Sequence, residues 1–175
     1  MIGLNYLGKM GQLGNQMFQY AALKGIANNR GLEYTVPNHR EVLEDGLGNK
    51  LRIELYDAFD IYPKNQGLLP TNEYVQEAYF HFDQDLYNEC PDNCSIVGYF
   101  QSEKYFNNIR EEIVRDFTVK KQYRDDCKSI LKQFDHPIAL HIRRGDFLIN
   151  SLNHYNLSMR SVSYTHLTLP TMRTV

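Results

Sequence analysis

Tryptophan is absent from this 175-residue chain, cysteine occurs three times, and neither charge sign dominates. Each shortage excludes something. A formal net charge of −2 leaves no basic stripe of the kind that neutralises nucleic-acid phosphates. No apolar run approaches the ~20 residues that a membrane-spanning helix needs. The opening Met1-Ile-Gly-Leu-Asn-Tyr-Leu-Gly-Lys9 lacks the basic flank and long apolar core of a secretory signal. These features lead us to expect a cytoplasmic protein, with peripheral contact at a membrane surface left open. Cys90, Cys94 and Cys127 form an odd set with no metal-type spacing, so reduced thiols are expected and no metal site. The sequon-like triplets at Asn93 and Asn156 carry no weight without a secretory route.

What is present suits one compact domain, or one domain plus a piece of a second: 42 % of the residues are apolar. Thirteen tyrosines and nine phenylalanines serve equally for packing at domain edges or for a sugar-binding cleft.

The spacing of apolar residues predicts a helix from about Asn15 to Asn29, with Phe18, Ala22, Gly25 and Ile26 near one face and Met17 and Ala21 beside them. Gly31 is placed to end it in a left-handed cap. Leu32 to Val36 reads as a strand, and turn-rich sequence follows at Asp45-Gly-Leu-Gly-Asn49 and Pro63-Lys-Asn-Gln-Gly67. A second strand, Ser95 to Phe100, precedes a helix beginning near Ser102 with the stripe Phe106, Ile109, Ile113 and Phe117. Another amphipathic stretch carries Tyr123, Cys127, Ile130, Leu131 and Phe134 and ends before Pro137. Ile138 to Ile142 is expected as a short strand running into Arg143-Arg-Gly-Asp146. Strands separated by amphipathic helices predict an α/β fold with a largely parallel sheet, whose ligands lie beyond the carboxyl ends of the strands.

Two segments carry chemistry. In His141-Ile-Arg-Arg-Gly-Asp146, adjacent guanidiniums at a strand end offer planar forks that match phosphate oxygens in pairs. Asp146 could orient one guanidinium or accept from a ligand, and His141 could fix the loop. The same residues also read as a solvated turn with Asp146 as a cap. The triplet Arg144-Gly-Asp146 alone does not support an adhesion motif. The second segment, Gly11-Gln-Leu-Gly-Asn-Gln-Met-Phe-Gln-Tyr20, puts two glycines, then Asn15 and Gln16, at a helix start. Unpaired N–H groups there attract anions, and Gly11 and Gly14 would let the backbone approach a ligand. Alternatively Asn15 caps the helix and Gly14 makes the turn. The lysine and hydroxyl residue of a P-loop are missing, which excludes an ATPase of that type.

Taken together, Gly11–Ala21, Gly98-Tyr-Phe-Gln-Ser-Glu-Lys-Tyr-Phe106 and Leu140-His-Ile-Arg-Arg-Gly-Asp146 resemble glycosyltransferase family 11, the α-1,2-fucosyltransferases, especially the bacterial members. The resemblance covers roughly the first 160 residues. It implies a GT-B arrangement of two Rossmann-like domains, GDP-fucose as donor, no metal or other cofactor, and a galactose-terminated glycan as acceptor, fucosylated with inversion. It further implies that Arg143 and Arg144 contact the diphosphate, with Arg143 the indispensable one, that His141 and Asp146 shape their loop, and that Asn15 with Gly14 faces the donor phosphate. No Asp, Glu or His is singled out by a motif as general base. A non-catalytic carbohydrate- or nucleotide-binding module, or another fucosyltransferase linkage class, remain the alternatives.

The resemblance divides the chain into an acceptor-side α/β domain over residues 1–136 and the start of the GDP-fucose-binding domain, with its first strand, over 137–159. Residues 160–175 depart from the family pattern. We expect the family reading frame to be lost near Arg160 and the polypeptide alone to transfer little or no fucose.

Overall fold

The computed structural model describes residues 1–46, 48–138 and 148. Short apolar segments pair in parallel on both sides of the first strand, because a helix or long connection carries the chain back to the same end of the sheet before each new strand. β1 (Ile2–Gly3) leads into α1 (Leu13–Arg30) and then β2 (Tyr34–Thr35). A two-stranded antiparallel hairpin follows, β3 (Leu43–Glu44) and β4 (Lys50–Leu51), closing on the glycine-rich turn. Next come α2 (Leu55–Ala58), β5 (Tyr74–Gln76), α3 (Gln84–Glu89) and β6 (Ser95–Val97). α4 (Arg110–Asp116) and α5 (Lys121–Leu131) complete the described chain.

The main sheet runs β2-β1-β6-β5, every pairing parallel. Ile2 pairs with Tyr34, Gly3 with both Thr35 and Ser95, and Ile96 with Val75. The expected α/β class with a parallel sheet is therefore observed. Ile2, Leu4, Val36 and Ile96 bring the sheet into one core with Leu23 and Ile26 of α1 and Leu86 of α3.

α1 is packed on most of its circumference, and small residues make that possible: Ala21, Ala22, Gly25 and Ala27 are all buried. It begins at Leu13, two residues before the expected start, because its first N–H is met from elsewhere in the chain: Leu13 N donates to Glu54 Oε2 at 2.7 Å. Its end is as expected, with Gly31 left-handed at φ 65° and bonded back to Asn28. Phe18, expected on the buried face, is 36 % exposed and only leans on Phe106.

The helix expected from Ser102 is replaced by two 3-10 turns, Glu103–Tyr105 and Asn107–Ile109, ahead of α4. Tyr105 supplies the reason. Its fully buried side chain donates to Glu77 Oε1 at 2.9 Å and accepts from Asp83 N at 2.8 Å, and the tighter turn aims it there. The stretch around Tyr123 to Phe134 does form a helix, yet Tyr123, Ile130, Leu131 and Phe134 are exposed among the described residues. Ile138 is 89 % exposed, and the strand expected from it continues outside the described residues.

Candidate functional site

β1 connects through α1 to β2 on one side, while β6 joins its other side, so the strand order reverses between β1 and β6. Crevices in open parallel sheets form beyond the carboxyl ends of strands at such a reversal. A cleft of about 710 Å³ lies among the loops that follow these two strands. Gly11 to Asn15 form one wall, Tyr99 and Gln101 another, and Asp45, Asn49 and Glu54 come from the hairpin side. Its size is that of an ordinary small-ligand site.

The first two family-like segments meet here. Gln101 Nε2 donates to Asn15 Oδ1 at 2.8 Å, joining residues 86 positions apart in sequence. Gly11 is left-handed at φ 75°, and a β-carbon on it would overlap the Asn15 side chain. The turn is therefore made by Gly11. Gly14 lies inside the first turn of α1, and a β-carbon there would meet nothing within 4 Å. Its bare backbone faces the cleft. Asn15 makes no cap bond to its own helix; its carboxamide is turned to Gln101.

Two glutamines of the same segment act as bolts, a role that sequence reading missed. Gln16 is fully buried: its amide donates to Arg52 O at 2.8 Å and Gly11 O at 3.2 Å, and its oxygen accepts from Glu54 N at 2.8 Å. Gln19 donates to Gly98 O at 3.0 Å and Met10 O at 3.2 Å, holding the loops after β1 and β6 together. Helical spacing of Gln16 and Gln19 with buried neighbours was the available signal, since a buried carboxamide must find partners.

Glu77 fixes the opposite wall. Its Oε2 accepts from Phe100 N at 2.8 Å and Tyr99 N at 3.2 Å, while Oε1 takes the Tyr105 hydroxyl. Phe100 is buried at φ 51°, a left-handed geometry uncommon for a phenylalanine, and this carboxylate over-determines it.

The electrostatics limit what the described walls can hold. Among the described residues Lys9 is the only cation lining the cleft, against Asp45 and Glu54, and Glu54 already sits at the α1 start. The N–H groups of Gly14 and Asn15 have no protein acceptor among the described residues. Amides, carboxylates and two aromatic rings suit a polyhydroxylated ligand. A diphosphate would require further positive charge. His141, Arg143, Arg144 and Asp146 lie outside the described residues. Among the described residues no group of three or more His, Cys, Asp or Glu could hold a metal ion, and no helix is long and apolar enough to cross a membrane.

Fold and cleft thus define an α/β protein with a parallel sheet and a polar ligand cleft at the reversal of strand order. The model of glycosyl transferase family 11 matches residues 1–172, and the chain belongs to that family. Over 158 residues it is 27 % identical to galactoside alpha-(1,2)-fucosyltransferase 2 of Oryctolagus cuniculus, covering 83 % of this chain and 41 % of the relative. It is 26 % identical to the Mus musculus protein of the same name, covering 83 % and 42 %. Similarity to galactoside alpha-(1,2)-fucosyltransferase 1 of Sus scrofa is 27 %, covering 79 % and 38 %. The chain thus spans about two fifths of the length of these relatives. No solved structure matches it.

Proposed function

We propose that this chain is part of an α-1,2-fucosyltransferase that moves fucose from GDP-fucose to the 2-hydroxyl of a galactoside with inversion. Family membership and the names of the relatives support the reaction class. The observation that carries the site is the junction of Asn15 with Gln101 inside the cleft at the strand reversal.

In this reading residues 1–136 form the acceptor-side domain of a GT-B enzyme, and 137–159 begin the donor domain. The acceptor oxygen attacks the anomeric carbon as the bond to GDP breaks, so positive charge grows on the fucose and negative charge on the diphosphate. Arg143 and Arg144 would stabilise that leaving group without a metal ion, their loop shaped by His141 and Asp146. Asn15 and the open backbone at Gly14 would face the donor phosphate from the other domain, through N–H groups that have no acceptor among the described residues. The carboxylate-rich remainder of the cleft suits sugar hydroxyls, which donate to Asp and Glu and accept from Asn and Gln.

The test is fucosyl transfer from GDP-fucose to lactose by protein carried to the length of its relatives, with Arg143→Ala as the comparison. Loss of an electrostatic contact to developing charge predicts a fall in kcat of about 100-fold or more. Galactoside binding without turnover in the extended protein would favour a carbohydrate-binding module instead.

A further inference from the structure

The core stops at the entry to α5. Phe117 leans its ring on Tyr20 and Phe59, and Val119 pairs with Phe59 in an isolated antiparallel bridge. Lys120 adds two ties to α2: its N–H donates to Ala58 O at 3.0 Å and its Nζ to Tyr56 O at 2.6 Å. Beyond it, every residue over 121–138 is exposed. Among the described residues, their hydrogen bonds run only along the helix and its last turn, as from Lys121 Nζ to Asp125 Oδ2 and from Gln133 Nε2 to Ser129 O.

Yet α5 has the sequence of a helix that is covered on one side. Tyr123, Cys127, Ile130 and Leu131 recur at helical spacing, and Phe134 extends the stripe past the last turn. The same spacing puts Lys121, Asp125, Lys128 and Lys132 on the opposite side. A helix of 11 residues is too short to persist in water on propensity alone. The stripe therefore needs a partner, and the core around α1 does not supply it among the described residues.

The chain that follows fits that role. Residues 132–137 alone separate α5 from Ile138, a connection of the length that joins a helix to the next strand of an α/β unit and makes the two neighbours. The segment Ile138-Ala-Leu-His-Ile142 is apolar apart from His141, and Ile138 is 89 % exposed. The chain spans about two fifths of the length of its relatives, so they have length for a second core. A membrane surface fits less well, because Asp125 and Asp126 lie on α5 and Lys121 is already paired with Asp125.

We propose that α5 belongs to the second domain of the transferase, its apolar stripe covered by the chain that follows Ile138, beginning with residues 139–142. This deepens the transferase reading and rests on its two-domain arrangement: the boundary at residue 136 moves back to Lys120. Helix α5 and the Arg143-Arg144 loop then form one body, joined to the first domain through Val119 and Lys120.

Cys127 lies on the stripe and reports its cover. The test compares how fast a thiol reagent labels Cys127 in the 175-residue chain and in protein carried to the length of its relatives. Labelling should be about 100-fold slower in the longer protein. Ile130→Asp should restore fast labelling there and lower the urea midpoint, but leave the midpoint of the 175-residue chain unchanged, since Ile130 is exposed in it. If that variant of the longer protein fails to fold, the two wild-type rates still decide. Equal rates would overturn the proposal. So would protection of the 175-residue chain that grows with its own concentration, which gives the stripe to a second copy, or protection that needs phosphatidylcholine vesicles, which gives it to a membrane. Labelling needs no substrate, so the two readings separate. Protection without fucosyl transfer keeps the packing and removes the transferase; transfer with Cys127 open does the reverse.

Discussion

The carbonyl oxygen of Tyr105 occupies the space where a β-carbon on Gly25 would lie. Helix α1 therefore rests backbone-on-backbone against the 3-10 turn that delivers Tyr105 into the core. Nothing flexible can move aside. Gly25→Ala should destabilise the protein by about 1–3 kcal/mol despite alanine's better helix propensity. Urea unfolding would register this as a lower midpoint; an unchanged or raised midpoint would show that the contact is loose.

Glu77 is the second structural hinge of the cleft. Replacing it by alanine leaves Phe100 N and Tyr99 N without their carboxylate and the Tyr105 hydroxyl without its acceptor. Hydrogen bonds to a charged group contribute ~1.5–3 kcal/mol each, but the losses overlap, so roughly 3 kcal/mol in all is expected. Urea unfolding of Glu77→Ala and Glu77→Gln separates the effects: the glutamine variant keeps one acceptor oxygen and should lose less.

Alkaline pH should unfold the protein through the Tyr20 cluster. Burial, then the neighbouring Tyr34 and Asp116, push the Tyr20 phenol far above its ordinary 10.0. Burial opposes the charge on Lys24, but its bonds to Asp116 and Glu112 outweigh that and raise its pKa. Both groups have folded values above their unfolded ones. Their contribution is complete below about pH 10 and is lost as pH rises beyond it. Tyr56, raised to about 12 by burial, adds in the same direction. Circular dichroism across pH 9–12 should show unfolding above about pH 10, shifted upward in Tyr20→Phe. An identical curve in the variant would remove Tyr20 from the account.

The thiols should divide by exposure. Cys127 is exposed on α5, whereas Cys90 and Cys94 are buried with their sulfurs 3.8 Å apart. The hydrogen bond that Cys90 shares with Cys94, with burial, pushes the Cys90 thiol up. A thiol reagent should label one cysteine quickly in the native protein and all three after denaturation, and none quickly in Cys127→Ser. Rapid native labelling of two or three would contradict the packing around α3.

What could be read from the sequence was local. The α1 span, its Gly31 cap and the placement of β6 follow from spacing and turn chemistry within a few residues. The Gly11–Tyr20 and Gly98–Phe106 segments were recognisable as stretches of one family pattern. Their physical junction was not, because Asn15 and Gln101 are far apart in sequence and nothing in a single chain pairs them. The same holds for Glu54 at the start of α1 and for Gln16 and Gln19 as loop bolts. Helical periodicity also misjudged Phe18 and the α5 stripe, since it says which residues share a face and not what covers it. Ser102 to Ile109 failed for another reason: burying Tyr105 outweighed the helix signal.

In the proposed enzyme, the cleft where Asn15 meets Gln101 is the transfer site. Initial rates of fucosyl transfer from GDP-fucose to lactose test it most directly, in protein carried to the length of its relatives, for wild type, Asn15→Ala and Gln101→Ala. The expected result is a fall in kcat/KM of about tenfold or more in each variant, equivalent to ~1.4 kcal/mol of transition-state stabilisation, with unchanged unfolding midpoints. Transfer at the wild-type rate in both variants would contradict it.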